Sequence, residues 1–137
     1  MKKIDLHIHT VATVSDRDFS FSMDTLKRYA QQSELDAIAI TNHNVFDATQ
    51  FRLIRDETPI VVFPGIEINV GSGHLLLISN GDNLTDFESR CQRISQAIPQ
   101  ATNSVSVPEL VSILATSQDI CLSLIMKKDL PLAGRIL

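Results

Sequence analysis

Lys3-Ile4-Asp5-Leu6-His7-Ile8-His9-Thr10 is the stretch on which the fold reading turns. Residues 3–8 alternate strictly between apolar and polar, the period of a strand with one buried face. That spacing predicts Ile4, Leu6 and Ile8 on one side and Asp5, His7 and His9 on the other. Two imidazoles at i and i+2 point the same way from a strand and can converge on one ion. Zn–N bonds of about 2.0–2.1 Å require such convergence. Alone, His-x-His reads slightly better as a pair of exposed polar residues on an edge strand, so the rest of the chain has to decide.

Outward from this strand, residues 10–21 are polar and without period, and read as a loop. Ser22 can cap a helix to about Gln32 that buries Leu26 and Tyr29-Ala30. Residues 36–41 read as a second strand ending at Asn42-His43-Asn44, and residues 47–55 as a short helix. Residues 59–70 are β-rich, Gly71-Ser72-Gly73 is a turn, and residues 74–79 form a further strand. Leu84, Phe87, Cys91 and Ile94 space a helix over residues 84–97. Ser106 with Glu109 makes a capping box, with Pro108 in the first turn of a helix to about Ala115. An apolar strand over residues 120–126 and an apolar tail over residues 131–137 follow. Strands alternating with helices imply an α/β fold of about five mainly parallel strands with the helices outside. No internal repeat or linker divides the chain, so residues 1–137 read as one domain.

The balance of residues narrows the function. Hydrophobic residues make up 44% and charged residues 20%, an ordinary globular composition. A net charge of −4, with no basic run longer than Lys2-Lys3 or Lys127-Lys128, argues against a general nucleic-acid clamp. Asp5 interrupts any secretory apolar run, and no stretch is long enough to span a membrane. Cys91 and Cys121 lack metal or redox spacing and read as buried free thiols rather than a disulfide. These features together favour the cytoplasm.

Further candidate residues end the later strands. Ala37, Ala39, Thr41 and His43 share a face opposite Ile38 and Ile40. Small residues leading to a terminal histidine suit the crowded inside of a barrel with a ligand at its mouth, since (β/α) barrels carry their sites at the C-terminal strand ends. Glu67 lies between Ile66 and Ile68, where a carboxylate is costly unless paired or bound to metal. Taken singly, Glu67 would be a solvated strand residue, Asp16 a turn residue and His74 a surface histidine. If residues 71–73 close a tight hairpin, Val70 faces His74 and Glu67 falls on the opposite side of the sheet.

The series Asp5-Leu6-His7-Ile8-His9-Thr10, Ser15-Asp16, Thr41-Asn42-His43-Asn44, Pro64-Gly65-Ile66-Glu67 and Gly73-His74 resembles the opening motifs of the PHP (polymerase and histidinol phosphatase) family, over roughly residues 2–80. The resemblance implies a distorted (β/α)7 barrel, here partial, holding two or three divalent ions of zinc, manganese or iron. It places His7 and His9 on a first ion, Glu67 between the first and a second, His74 on the second, and Asp16 and His43 on a third. Glu67 and His9 are the residues it sets at the reacting centre. The implied activity is hydrolysis of phosphate esters by metal-activated water, on a phosphorylated small molecule, a nucleotide or a nucleic-acid end.

Several features depart from that pattern. Asn42 stands where the family has Asp, which keeps the shape and loses the charge. No histidine follows His74, so the family's later ligands are missing, and fewer ions are one consequence. A closed barrel of this type needs about 200 residues or more, so the chain reads as C-terminally incomplete. The missing segment would come from a partner or from a second copy. Two other classes fit less well. One is a degenerate PHP-like module serving as an interaction or regulatory domain. The other is an amidohydrolase, which also opens with His-x-His but requires a central Lys or His and a late Asp that are not seen.

Overall fold

The computed structural model describes residues 1–13, 16, 18–98, 103–115, 125–127 and 135–136. The elements run β1 (Ile4–His9), α1 (Met23–Gln32), β2 (Ala37–Ile40), α2 (Ala48–Glu57), β3 (Val61–Val70), β4 (Gly73–Ile78), α3 (Leu84–Ala97), α4 (Val107–Leu114), β5 (Ile125–Lys127) and β6 (Arg135–Ile136). The strands form one mixed, curled sheet in the order β5-β4-β3-β2-β1-β6.

The helix starts follow local chemistry. Ser22, Asp47, Asn83 and Ser106 each accept a backbone N–H of the first turn through the side chain, satisfying donors that the helix cannot. Ser106 and Glu109 complete the capping box. Helix α2 runs to Glu57, past the expected Arg55, because nothing breaks it before Thr58, which precedes Pro59.

The core lies on one face of the sheet. Ile8, Ile38, Ile40 and Val62 pack against Leu26 of α1 and Phe51 and Ile54 of α2. Ile66, Ile68, Leu75 and Leu77 pack against Phe87, Cys91 and Ile94 of α3 and Leu110 and Leu114 of α4. Every helix therefore covers the same face, and the opposite face carries Ala37, Ala39, Gly65 and Glu67. A Cβ on Gly65 would lie 2.7 Å from Thr41 Cγ2 and 3.0 Å from the Ile40 carbonyl, so β2 and β3 need glycine there. Cys91 is a free thiol buried in this core, and burial pushes its pKa up. Cys121 lies outside the described residues.

Four expectations change. Among the described residues the sheet has six strands rather than about five, because Arg135–Ile136 pairs with β1 at Ile8 and His9. Two residues are too few for any alternation to be legible in the sequence. Pairing is parallel from β6 to β3, as expected of mainly parallel strands, but β4 pairs antiparallel with β3, because a tight turn reverses the chain there, and β5 pairs antiparallel with β4. Of the strand expected over residues 120–126, only residues 125 and 126 are described, as part of β5.

The third change is in β1, where the strict alternation breaks. Asp5 pairs with Ile38 and Ile8 with Ile40, three residues of β1 against two of β2. Asp5 is thereby turned to the helix side, where its Oδ2 accepts the Tyr29 hydroxyl of α1 at 2.6 Å. Its Oδ1 accepts the His7 N–H at 3.1 Å. His7 and His9 stay on the opposite face. The fourth change is the register of the β3–β4 hairpin. Val70 pairs with Gly73 and Asn69 with His74, around a two-residue turn at Gly71-Ser72. Gly71 has φ +57, which suits glycine at the first central position of such a turn. Glu67, Asn69 and His74 consequently share one face, rather than opposing each other.

Candidate metal centre

His9 ends β1, His43 follows β2, Glu67 lies in the overhanging half of β3, and His74 opens β4. These ends meet because the parallel strands end at one level and β3 continues past them. The Asn44 N–H donates to the Glu67 carbonyl at 2.7 Å, and the Glu67 N–H to the Asn42 carbonyl at 3.0 Å. Asn44 takes a positive φ of 54°, a conformation asparagine tolerates better than most residues. Its Oδ1 accepts the Asn69 N–H at 2.9 Å, so this one residue fastens the loop after β2 to β3 at both Glu67 and Asn69.

The two oxygens of Glu67 face different ways. Oε2 lies 2.8 Å from His7 Nε2 and 2.9 Å from His9 Nε2. Oε1 lies 2.5 Å from His74 Nδ1. His43 Nδ1 sits 3.4 Å from Oε2 and has no hydrogen-bond partner, a lone pair aimed at the cluster. On the far side of His9, its Nδ1 lies 2.7 Å from Asp16 Oδ1, and His43 Nε2 lies 3.7 Å from the same oxygen. Three ligand groups result: His7, His9 and Glu67; His43, Glu67 and His74; His9, Asp16 and His43. All six sequence-selected residues are therefore brought together.

Burial is graded across the cluster. The Glu67 side chain is 3% exposed and that of His9 2%, whereas His7 is 25% and His74 49% exposed. Solvent thus reaches the cluster from the side of His7 and His74. Burial by itself would raise the Glu67 pKa, but its bonds to His7 and His9 and the nearby His43 hold the carboxyl well below the usual range. Burial would lower the His9 pKa, yet the Glu67 and Asp16 carboxylates raise it. Burial lowers that of His43, which disfavours its charged form. An anionic oxygen ringed by imidazole nitrogens is the donor set of a divalent transition ion. The His7 and His9 Nε2 atoms are 3.0 Å apart, close to the roughly 3.3 Å separating two donors at about 2.0–2.1 Å from one tetrahedral ion. The residues fit such an ion with a few tenths of an ångström of opening.

Three further residues support the cluster. Asn42 precedes His43 in the loop after β2. Its Oδ1 accepts the backbone N–H groups of Thr10 at 2.6 Å and Val11 at 3.0 Å, holding the turn just after His9. Gln50 of α2 reaches the same turn, donating through Nε2 to the Thr10 carbonyl at 3.0 Å. Asn44 acts through its backbone conformation. Asn42 is marked by its departure from the aspartate of the resembled motif, Asn44 only by its place beside His43, and nothing marks Gln50.

No family model and no curated protein matches the chain. Among solved structures, it is similar to a crystal structure titled "putative metal-dependent phosphoesterase" from Bifidobacterium adolescentis, at a TM-score of 0.44 and 20% identity. The match covers 70% of this chain and 36% of that one, so the chain spans little more than a third of that protein's length. The chemical reading accordingly rests on the side chains at the strand ends. Among the described residues no helix is long and apolar enough to cross a membrane.

Proposed function

We propose that the chain is the metal-binding part of a PHP-type phosphoesterase and that its centre holds two divalent ions, of zinc, manganese or iron, on either side of Glu67. The observation that carries this is the divided carboxylate of Glu67: Oε2 serves the pair His7 and His9, while Oε1 serves His74. A carboxylate with each oxygen directed at a different imidazole group is built to bridge. His7, His9 and Glu67 would hold one ion; His43, Glu67 and His74 would hold the other.

Ions bound there would neutralise phosphate charge, lower the pKa of a bound water and align its attack. The chain's own residues set the conditions for this. Glu67 stays ionised at every working pH because of its imidazole neighbours, so it remains a ligand. His7 and His74, the more exposed ligands, flank the side from which a phosphorylated substrate would approach. His9 and Glu67, almost fully buried, keep the floor of the site dry. The substrate class proposed is a phosphate ester carried on a small molecule or on a nucleic-acid end. A partner or a second copy of the chain would supply further ligands to ions that have three protein donors each.

The test is direct. The purified protein, dialysed and then titrated with Mn²⁺, should bind two ions per chain and hydrolyse a chromogenic phosphomonoester or phosphodiester. His7→Ala combined with His9→Ala should abolish both binding at the first site and hydrolysis. Hydrolysis that persists in the double variant would overturn the assignment. Ion binding without hydrolysis of any phosphoester would instead favour an inactive interaction module.

A further inference from the structure

The resemblance to the PHP family sets Asp16 on a third ion, together with His43. We propose a different role: Asp16 is a positioning residue for His9, fixing that ring with its proton on Nδ1 so that Nε2 is free for the first ion, and the chain holds two ions rather than three. This rests on the metal reading above.

The argument starts from His9, which belongs to two of the three groups through opposite edges of one ring. Nε2 faces His7 Nε2 at 3.0 Å and Glu67 Oε2 at 2.9 Å. Nδ1 faces Asp16 Oδ1 at 2.7 Å. A neutral imidazole has one lone pair and one N–H. If Nε2 gives its lone pair to the first ion, Nδ1 carries the proton and is a donor, not a ligand. The third group then shrinks to Asp16 and His43, and two protein ligands hold an ion poorly. Occupying all three groups would require His9 to lose both ring protons, and Asp16 would be withdrawn from the only acceptor role that the 2.7 Å distance describes.

Asp16 is itself held for that role. Its Oδ2 accepts the Thr13 hydroxyl at 2.8 Å and the Thr13 N–H at 3.1 Å, while its own N–H donates to the Thr13 carbonyl at 2.9 Å. One oxygen is thus anchored to the loop and the other aimed at His9. The side chain is 5% exposed, so water does not replace the imidazole as partner. His43 Nε2 stands 3.7 Å from Oδ1, beyond hydrogen-bond distance. A carboxylate that takes the far N–H of a ligating histidine sets its tautomer and raises its basicity, and losing such a partner weakens metal binding by about 10–100-fold.

The closing experiment reads His9 directly. Long-range ¹H–¹⁵N correlation spectra of histidine-labelled protein loaded with the diamagnetic ion Zn²⁺ should show His9 protonated on Nδ1, the nitrogen that faces Asp16, and metal-bound through Nε2. Asp16→Asn and Asp16→Ala should mix the His9 tautomers. Calorimetric titration with Mn²⁺ should show two ions in the wild type and two in both variants, with the affinity of one ion weakened about 10–100-fold. A wild type binding three ions, and an Asp16→Asn variant binding two with unchanged affinities, would overturn the proposal, as would a His9 ring protonated on Nε2. Failure of the wild type to bind any ion would sink the metal reading instead, an outcome distinct from three bound ions or from Asp16 variants with unweakened affinity.

Discussion

At the scale of single residues, the cluster is a set of opposed electrostatic demands. Without metal, the Glu67 carboxylate is stabilised by His7 and His9, and His9 in turn by Glu67 and Asp16. The signs set the pH dependence. His9 has a folded pKa above its unfolded value near 6.5, so its contribution is complete below that value and lost as pH rises through the folded pKa. Glu67 and Asp16 have lowered pKa values, so theirs is complete above about 4.3 and 3.9, their unfolded values, and lost as pH falls. Burial lowers the His43 pKa, so its contribution is complete above its unfolded value near 6.5 and lost as pH falls, opposing that of His9. The metal-free protein should therefore lose melting temperature as pH falls below about 4.5, where Glu67, Asp16 and His43 all lose stabilisation. A melting temperature unchanged between about pH 6 and pH 3 would contradict the assigned interactions.

Asn42 gives a second prediction at this scale. Asn42→Ala leaves the N–H groups of Thr10 and Val11 without the Oδ1 acceptor in a buried place, and should cost about 1–3 kcal/mol in urea unfolding. Asn42→Asp keeps both bonds and adds a negative charge near the ions. It should tighten Mn²⁺ binding; an unchanged titration would mean the charge at this position is neutral for the site.

At the scale of elements, caps and turns act separately from the chemistry. Ser106 satisfies the start of α4 through the capping box, on an exposed surface far along the chain from the cluster. Ser106→Ala should cost about 1 kcal/mol in chemical denaturation and leave metal affinity unchanged. The β3–β4 turn is different. It has two residues, and that count alone places His74 on the face of Glu67. Side chains alternate every residue, so a one-residue change in pairing would carry His74 to the helix side. The bulge of β1 acts in the same way, sending Asp5 to Tyr29 while keeping His7 and His9 inward.

At the scale of the whole molecule, the helices cover one face of the sheet and the ligands gather at one end of the other. Ions that bind the folded protein and not the unfolded chain stabilise it by mass action, by about 2.7 kcal/mol at a concentration 100 times the dissociation constant. The melting temperature should therefore rise with Mn²⁺ concentration and fall back on adding a chelator. The His7→Ala, His9→Ala variant should lose most of this dependence. A wild type whose melting is indifferent to metal would contradict the reading of the centre.

The sequence by itself determined the helices, the strands up to β4 and the six residues of the candidate cluster, because alternation, caps and side-chain chemistry are local properties of neighbouring residues. The capping residues Ser22 and Ser106 could be read without knowing what the helices pack against. Tertiary structure alone decided which side chains share a face. Asp5 left the face of His7 when β1 had to fit three residues against two of β2, and His74 joined Glu67 when the hairpin closed with two residues. It also decided that Asn42, Asn44 and Gln50 support the cluster, since their partners lie between 25 and 40 positions away. Register, bulges and distant hydrogen bonds are settled by packing strands against each other and against the helices, and no local pattern encodes that outcome.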